Sequence, residues 1–103
     1  MTKGGAAWRG WFPLFGELTS GKPDGKEGLY CARELGDDDP RVIAKVPLHG
    51  KNLFPENPSE LGPTILEWME AMSKLGKALL TGVALGLGMP EDWFSTTICS
   101  EPT

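Results

Sequence analysis

Histidines, cysteines and convergent carboxylates are the side chains that most often do chemistry, and these 103 residues hold few of them in useful spacing. The sole histidine is His49. A non-haem iron centre needs two histidines and one carboxylate, with positions left open for substrate. Here the run is His49-Gly50-Lys51, so a cation stands where a His-x-Asp or His-x-Glu pair would carry its carboxylate. His49 reads as a loop histidine with a hydrogen-bonding role, and nothing near it supports a Ser-His-Asp or Cys-His pair. Asp37-Asp38-Asp39 lacks the alternating ligands and terminal glutamate of a calcium loop and reads as a solvated acidic turn. Gly82, Gly86 and Gly88 resemble a phosphate loop only in composition. They fall at the C-terminal end of a helical pattern, where the dipole repels anions, and read as helix-packing glycines. Cys31 and Cys99 lie far apart with no Cys-x-x-Cys spacing and read as free, reduced thiols. Trp8, Trp11, Trp68 and Trp93 are too dispersed for a base-stacking platform and read as core or interface aromatics. No catalytic, cofactor-binding or metal-ligating residue is assigned.

The elements that would position such residues divide the chain in two. Hydrophobic residues are 40% and charged residues 23%, which is not a disordered composition. Yet there are 14 glycines and 9 prolines, many of them before residue 64, so the first half is expected to be loop-rich and to bury little surface of its own. Residues 1–9 read as a disordered tail. Gly10 to Gly16 is an apolar, extended run in which Pro13 argues against a central strand. Ser20-Gly21, Pro23-Asp24 and Asp24-Gly25 are turn signals. Leu29 to Ala32 suits one short strand or a helical turn. Residues 41–58, with Pro47, Pro55 and Pro58, read as an irregular extended path.

From about Ser59 the pattern is helical. Leu61, Ile65, Trp68, Met72, Leu75 and Leu79 recur at steps of three and four on one face. Glu60, Glu67, Glu70, Lys74, Lys77 and Thr81 take the other, with Glu70 and Lys74 in the favourable i,i+4 order. Pro63 places the start near Gly62, and Gly88-Met89-Pro90 is a stop signal. Pro90 then suits the first position of a short second helix. From Ala78 to Leu87 the long helix is apolar all round, a pattern normally buried on every side. Gly76, Gly82 and Gly86 cost it about 2–3 kcal/mol together relative to alanine, which close packing must offset. The loop-rich half cannot supply all of that packing, so the sequence reads as cut from something larger.

The net charge is −4, and the basic residues are scattered among acidic ones. Nucleic acid is not an expected partner. The N-terminus lacks the apolar run of a signal peptide, and no uncharged stretch approaches the ~20 residues of a membrane span. A soluble, cytoplasmic chain is expected.

Several strings, in order, resemble one family. Glu17 to Asp24, then Lys26-Glu27-Gly28-Leu29-Tyr30, resembles a "D-x-K-E" stretch. Pro47-Leu48-His49-Gly50 followed by Asn52-Leu53-Phe54-Pro55 resembles an "N-x-W-P" or "N-x-F-P" element. Leu66-Glu67-Trp68-Met69, Met72, Leu75-Gly76 and the run from Leu85 to Phe94 resemble a long helix and its capping turn. Together, over about residues 10–94, they resemble the N-terminal region of isopenicillin-N-synthase-like oxygenases that depend on Fe(II) and 2-oxoglutarate. The resemblance implies a double-stranded β-helix, or jelly-roll, core downstream that binds both cofactors in complete members. The family's His-x-Asp, distant His and Arg-x-Ser are absent here, and Arg33-Glu34-Leu35 and Arg41-Val42-Ile43 do not match the last.

The expected fold is mainly α with an irregular, short-strand N-terminal half, an α+β fragment. It has one long helix at about 60–87 and a short one at about 90–95. This would be the N-terminal cap of a jelly-roll oxygenase without its core, loop-rich over 10–58, helical over 59–96, with a tail at 97–103. The function the resemblance implies is a structural segment of an oxidoreductase that binds no cofactor and does not catalyse alone. Its partner would be the missing jelly-roll core or another protein surface. The alternative is a small helix-mediated interaction or self-association module.

Overall fold

The computed structural model describes residues 5–99. They form two compact units divided between Pro58 and Ser59.

In the first unit, β1 (Gly10–Phe12) pairs antiparallel with β4 (Gly28–Tyr30), setting Gly10 opposite Tyr30, Trp11 opposite Leu29 and Phe12 opposite Gly28. The chain between them folds into a hairpin of β2 (Leu18–Thr19) and β3 (Lys22–Pro23). Its two-residue turn is Ser20-Gly21, with φ of 53° and 77°. Two left-handed residues give the turn the twist that antiparallel strands need, and glycine adopts it without strain. Of the two readings open for residues 29–32, the strand is the one realised. Leu29 and Tyr30 have an antiparallel partner in β1 that a lone helical turn would lack.

Ladders two and three residues long are too short to be stable by themselves, so side chains hold them. Phe12 is buried and stacks on Tyr30 with ring centroids 5.0 Å apart. Its ring also covers Gly28, where an added Cβ would lie 2.8 Å from the ring carbons. Glu17 ties the hairpin to β4 by accepting from the Tyr30 hydroxyl at 2.7 Å. Lys26 lies 3.1 Å from Glu17 and 3.3 Å from Asp24, and the Thr19 hydroxyl donates to Asp24 at 2.6 Å. These bonds hold the Glu17 and Asp24 carboxyls below their ordinary range. The Glu17 hydrogen bond also raises Tyr30, and Glu17 and Asp24 raise Lys26.

Asn52 is a buried polar residue. Its side-chain amide treats Ala32 as a neighbouring strand would. The Oδ1 atom accepts from the Ala32 N–H at 2.9 Å, and Nδ2 donates to the Ala32 carbonyl at 2.7 Å. Glu34 then accepts from both the backbone N–H and Nδ2 of Asn52. One amide thus welds the segment after β4 to the proline-rich run.

Two expectations for this half are corrected. Residues 1–4 lie outside the described residues, but residues 5–9 are not a frayed tail. Gly5–Ala7 form a 3-10 turn, and Arg9 is buried, donating to the carbonyls of Ala7 at 2.8 Å and Leu48 at 2.7 Å. Nor is the path beyond residue 40 wholly extended: α1 (Pro40–Ile43) interrupts it. Asp39 caps this helix by accepting from the Arg41 N–H at 2.8 Å, and Pro40 supplies a first-turn φ.

The second unit is α2 (Leu61–Gly86) followed by α3 (Trp93–Thr97). The long helix lies within a residue of its expected bounds. Pro63 is tolerated in the first turn because its missing N–H has no intrahelical carbonyl to meet. Gly88, at φ 72°, ends the helix. The Met89 N–H reaches back to the Ala84 carbonyl at 2.9 Å and the Gly88 N–H to Leu85 at 3.0 Å, which satisfies two terminal carbonyls. The short helix starts later than Pro90. The turn occupies residues 88–92, and the Pro90 carbonyl instead accepts from the Trp93 N–H at 3.1 Å. Beyond α3, the Cys99 N–H bonds to the Phe94 carbonyl at 2.7 Å, while residues 100–103 lie outside the described residues. Among the described residues no helix is long and apolar enough to cross a membrane.

Burial on every side of residues 78–87 is also not realised. Helix α3 packs on the side bearing Leu80, Thr81 and Ala84, and Ala84 is fully buried. Leu79, Val83, Leu85 and Leu87 remain exposed. Around Gly76, Gly82 and Gly86 an added Cβ would meet nothing within 4 Å, so their packing role is not fulfilled by the chain itself.

Three outcomes are expected. Asn52→Ala should lower unfolding stability in urea by about 2–3 kcal/mol, because it strands both backbone groups of Ala32; an unchanged midpoint would contradict the weld. Gly28→Ala should cost about 1–3 kcal/mol by driving Phe12 off its site, read as a lower melting temperature and a weaker near-UV signal. Glu17, Asp24, Asp39 and Glu70 all have lowered pKa values, so their stabilisation is present above the unfolded carboxylate value and lost as pH falls through the folded one. Raised Tyr30 and Lys26 act oppositely, their contribution being lost at high pH. Melting temperature against pH should therefore be a plateau from about pH 5.5 to 9 that falls on both sides.

Candidate functional site

The loop from Val46 to Lys51 carries the residue most suited to metal chemistry, and its surroundings are wrong for it. The Nδ1 atom of His49 lies 2.9 Å from the Pro47 carbonyl, a local pairing within its own turn. Lys51 points to Asp37, with Nζ 2.5 Å from the carboxylate. Among the described residues no three histidine, cysteine, aspartate or glutamate side chains converge on a point. The residues present do not fit an Fe(II) centre, which needs two imidazoles and a carboxylate on one face of the ion.

The acidic triplet diverges rather than gathers. Asp37 pairs with Lys51, while Asp39 binds Arg41 through two contacts, Oδ1 to Nε at 3.0 Å and Oδ2 to Nη2 at 2.8 Å. That guanidinium holds the Asp39 carboxyl well below the usual carboxylate range. Asp37 and Asp38 are exposed in a turn, as a solvated acidic turn would be, and two of the three carboxylates also form ion pairs. Both cysteines are free and half-buried. Burial pushes the Cys31 thiol up, against the opposing charge of Arg9, so it is a poor nucleophile at neutral pH.

A groove of about 240 Å³ lies between α2 and α3, lined by Lys77, Ala78, Thr81, Glu91, Phe94 and Ser95 among others. It is smaller than the ~300 Å³ at which small-molecule sites begin, and no nucleophile in it is paired with a base.

The larger feature is the apolar face of α2. Trp68 is 63% exposed, Leu79 63%, Leu75 51% and Val83 48%, with Met72 between them. Glu70 and Lys74 pair at 2.7 Å elsewhere on the helix, leaving this stripe free of charge. From Trp68 to Val83 the stripe runs about four turns, and exposed apolar patches of this kind are where proteins most often meet another surface. The periodicity of the sequence identified the stripe. It did not reveal that α3 packs on the Lys77–Thr81 side instead, because an all-apolar segment gives no preferred direction. Sequence reasoning also missed Asn52 and Arg9. For Asn52 the available signal was a lone amide ahead of Leu53 and Phe54, and for Asp39 it was the Asp-Pro pair that often opens a helix.

No family model matches the chain. Individual relatives do. A probable iron/ascorbate oxidoreductase of Dictyostelium discoideum is 46% identical over 103 residues, covering 93% of this chain and 28% of the relative. A homoarginine-6-hydroxylase of Oryza sativa subsp. japonica is 30% identical over 97 residues, covering 94% and 29% respectively. The isopenicillin N synthase of Streptomyces clavuligerus is 32% identical over 74 residues, covering 70% and 22%. The chain thus spans between a fifth and a third of the length of these relatives. Over that span it belongs to the isopenicillin-N-synthase-like family of oxidoreductases, as a fragment of a member.

Proposed function

We propose that this chain is an N-terminal structural segment of a 2-oxoglutarate- and Fe(II)-dependent oxidoreductase, and that it covers one side of the jelly-roll core. The observation that carries the reading is the α2 stripe. A 26-residue helix leaves Trp68, Leu75, Leu79 and Val83 in water and carries three glycines with open space beside them. Such a face is favourable only when another surface removes it from water, at about 25 cal/mol per Å². The relatives, three to four times longer, have residues enough to supply that surface. In this reading the iron and 2-oxoglutarate ligands come from the core, and the segment contributes no catalytic group. Two free thiols favour a reducing compartment, the cytoplasm.

The test is reconstitution in trans. The part of the Dictyostelium oxidoreductase outside the aligned region is produced alone, then mixed with this chain. A one-to-one complex that forms succinate from 2-oxoglutarate when Fe(II) is present is the expected outcome. A folded core that neither binds the chain nor gains turnover from it refutes the reading. Fe(II) with 2-oxoglutarate should leave the melting temperature of the isolated chain unchanged, since stabilisation requires binding to the native state. A clear upward shift would show that the chain holds ligands of its own.

A further inference from the structure

We infer that, when no oxygenase core covers it, the α2 stripe closes on a second copy of itself as an antiparallel pair with its two-fold axis beside Met72. A two-fold interface is isologous, so every residue must find its counterpart the same distance from the axis on the other copy. The set Leu61, Ile65, Trp68, Met72, Gly76, Leu79 and Val83, which takes Gly76 in place of Leu75, has that property, and Leu75 then lies at the edge of the seam with Met69 as its counterpart. Its steps of four, three, four, four, three and four read the same in both directions. Antiparallel pairing about Met72 puts Leu61 in a layer with Val83, Ile65 with Leu79, and Trp68 with Gly76.

The last layer decides the register. Trp68 projects the bulkiest side chain of the stripe into solvent, and Gly76 has no side chain and nothing within 4 Å of where one would start. Large against absent fills a layer that large against large would overfill. Helix α3 lies on the Leu80, Thr81 and Ala84 side, so it does not block the seam. Charge favours the same orientation. Glu60, Glu67 and Glu70 occupy the N-terminal half of the helix and Lys74 and Lys77 the C-terminal half, so antiparallel halves attract where parallel halves repel. The helix dipoles oppose as well. These charges sit away from the seam and bias orientation rather than tightness. Trp68 and Leu79 are the most exposed of the six large side chains, while Leu61 and Ile65 are already half-buried, so the pair covers somewhat less than about 1,200 Å² in total, the size of a weak, transient interface.

Sedimentation velocity of the full chain between about 5 and 200 µM, a range that brackets micromolar association, reads the outcome. The mass should rise to twice 11.1 kDa across that range. Leu79→Glu should weaken association at least about 30-fold, with circular dichroism verifying that the helix persists. Gly76→Leu is the sharper variant. It improves helix propensity and adds apolar surface, so a merely sticky helix would associate more tightly, whereas this register predicts weakening of about tenfold or more. In a Cys31→Ser, Cys99→Ser background, Met72→Cys should cross-link to itself on mild oxidation. A monomer at every concentration, tighter association of Gly76→Leu, or a dimer that fails to cross-link at position 72 each overturns the proposal. The proposal shares its surface with the docking reading but does not depend on it: a strictly monomeric chain that still restores turnover in trans would sink only the dimer.

Discussion

Water must be kept from a long apolar stripe, and this chain has almost nothing with which to do it. Among the described residues Phe12, Leu35 and Ala84 are the buried apolar side chains, and no large side chain is completely enclosed. The hydrophobic term that normally dominates folding is therefore small within each unit. What remains is backbone pairing, caps and a few polar welds, each worth about 1 kcal/mol net. Everything else about the molecule follows from that shortage. The first unit is stapled by side chains, the second is a helix with a short companion, and the best-formed surface faces outward.

The polar welds are economical. Asn52 supplies in one side chain the donor and acceptor that another β-strand would have offered Ala32, and Glu34 completes the set by accepting from Asn52 twice. Arg9 spans from the start of β1 to the Leu48 carbonyl, with its buried Nε left unmet. The strings that resemble the oxygenase family thereby acquire a physical meaning. The run from Glu17 to Tyr30 holds a hairpin against β4, and the run from Asn52 to Pro55 holds the loop after β4. Neither places a reactive group.

The long helix was legible because its period is sustained over about five turns and its ends carry unambiguous signals, Pro63 and Gly88. The hairpin was legible only as a cluster of turn residues, since strands of two residues have no periodicity to read. Arg9 was misjudged as part of a tail because a single arginine among small residues looks solvated; its burial depends on a carbonyl 39 positions away. The α1 helix was missed because four residues are too few for a pattern, although Asp39 and Pro40 mark its start. The burial expected from Ala78 to Leu87 followed soundly from composition, but sequence periodicity cannot say whether the covering surface lies in the same chain. As for chemistry, the sequence offered a single histidine, with Lys51 two positions on. The structure adds that the neighbouring carboxylates are engaged by Lys51 and Arg41.

The exposed indole of Trp68, with the leucines that follow it, has a consequence for how long such a polypeptide persists. A partner that binds only the native form adds stability in proportion to the logarithm of its concentration. A chain lacking that contribution spends more time open, where proteases and holdases act on the unfolded fraction. On the docking reading proposed above, its steady-state amount would follow the supply of the surface that shields the helix. Molecules made in excess of that surface would then be the ones cleared first.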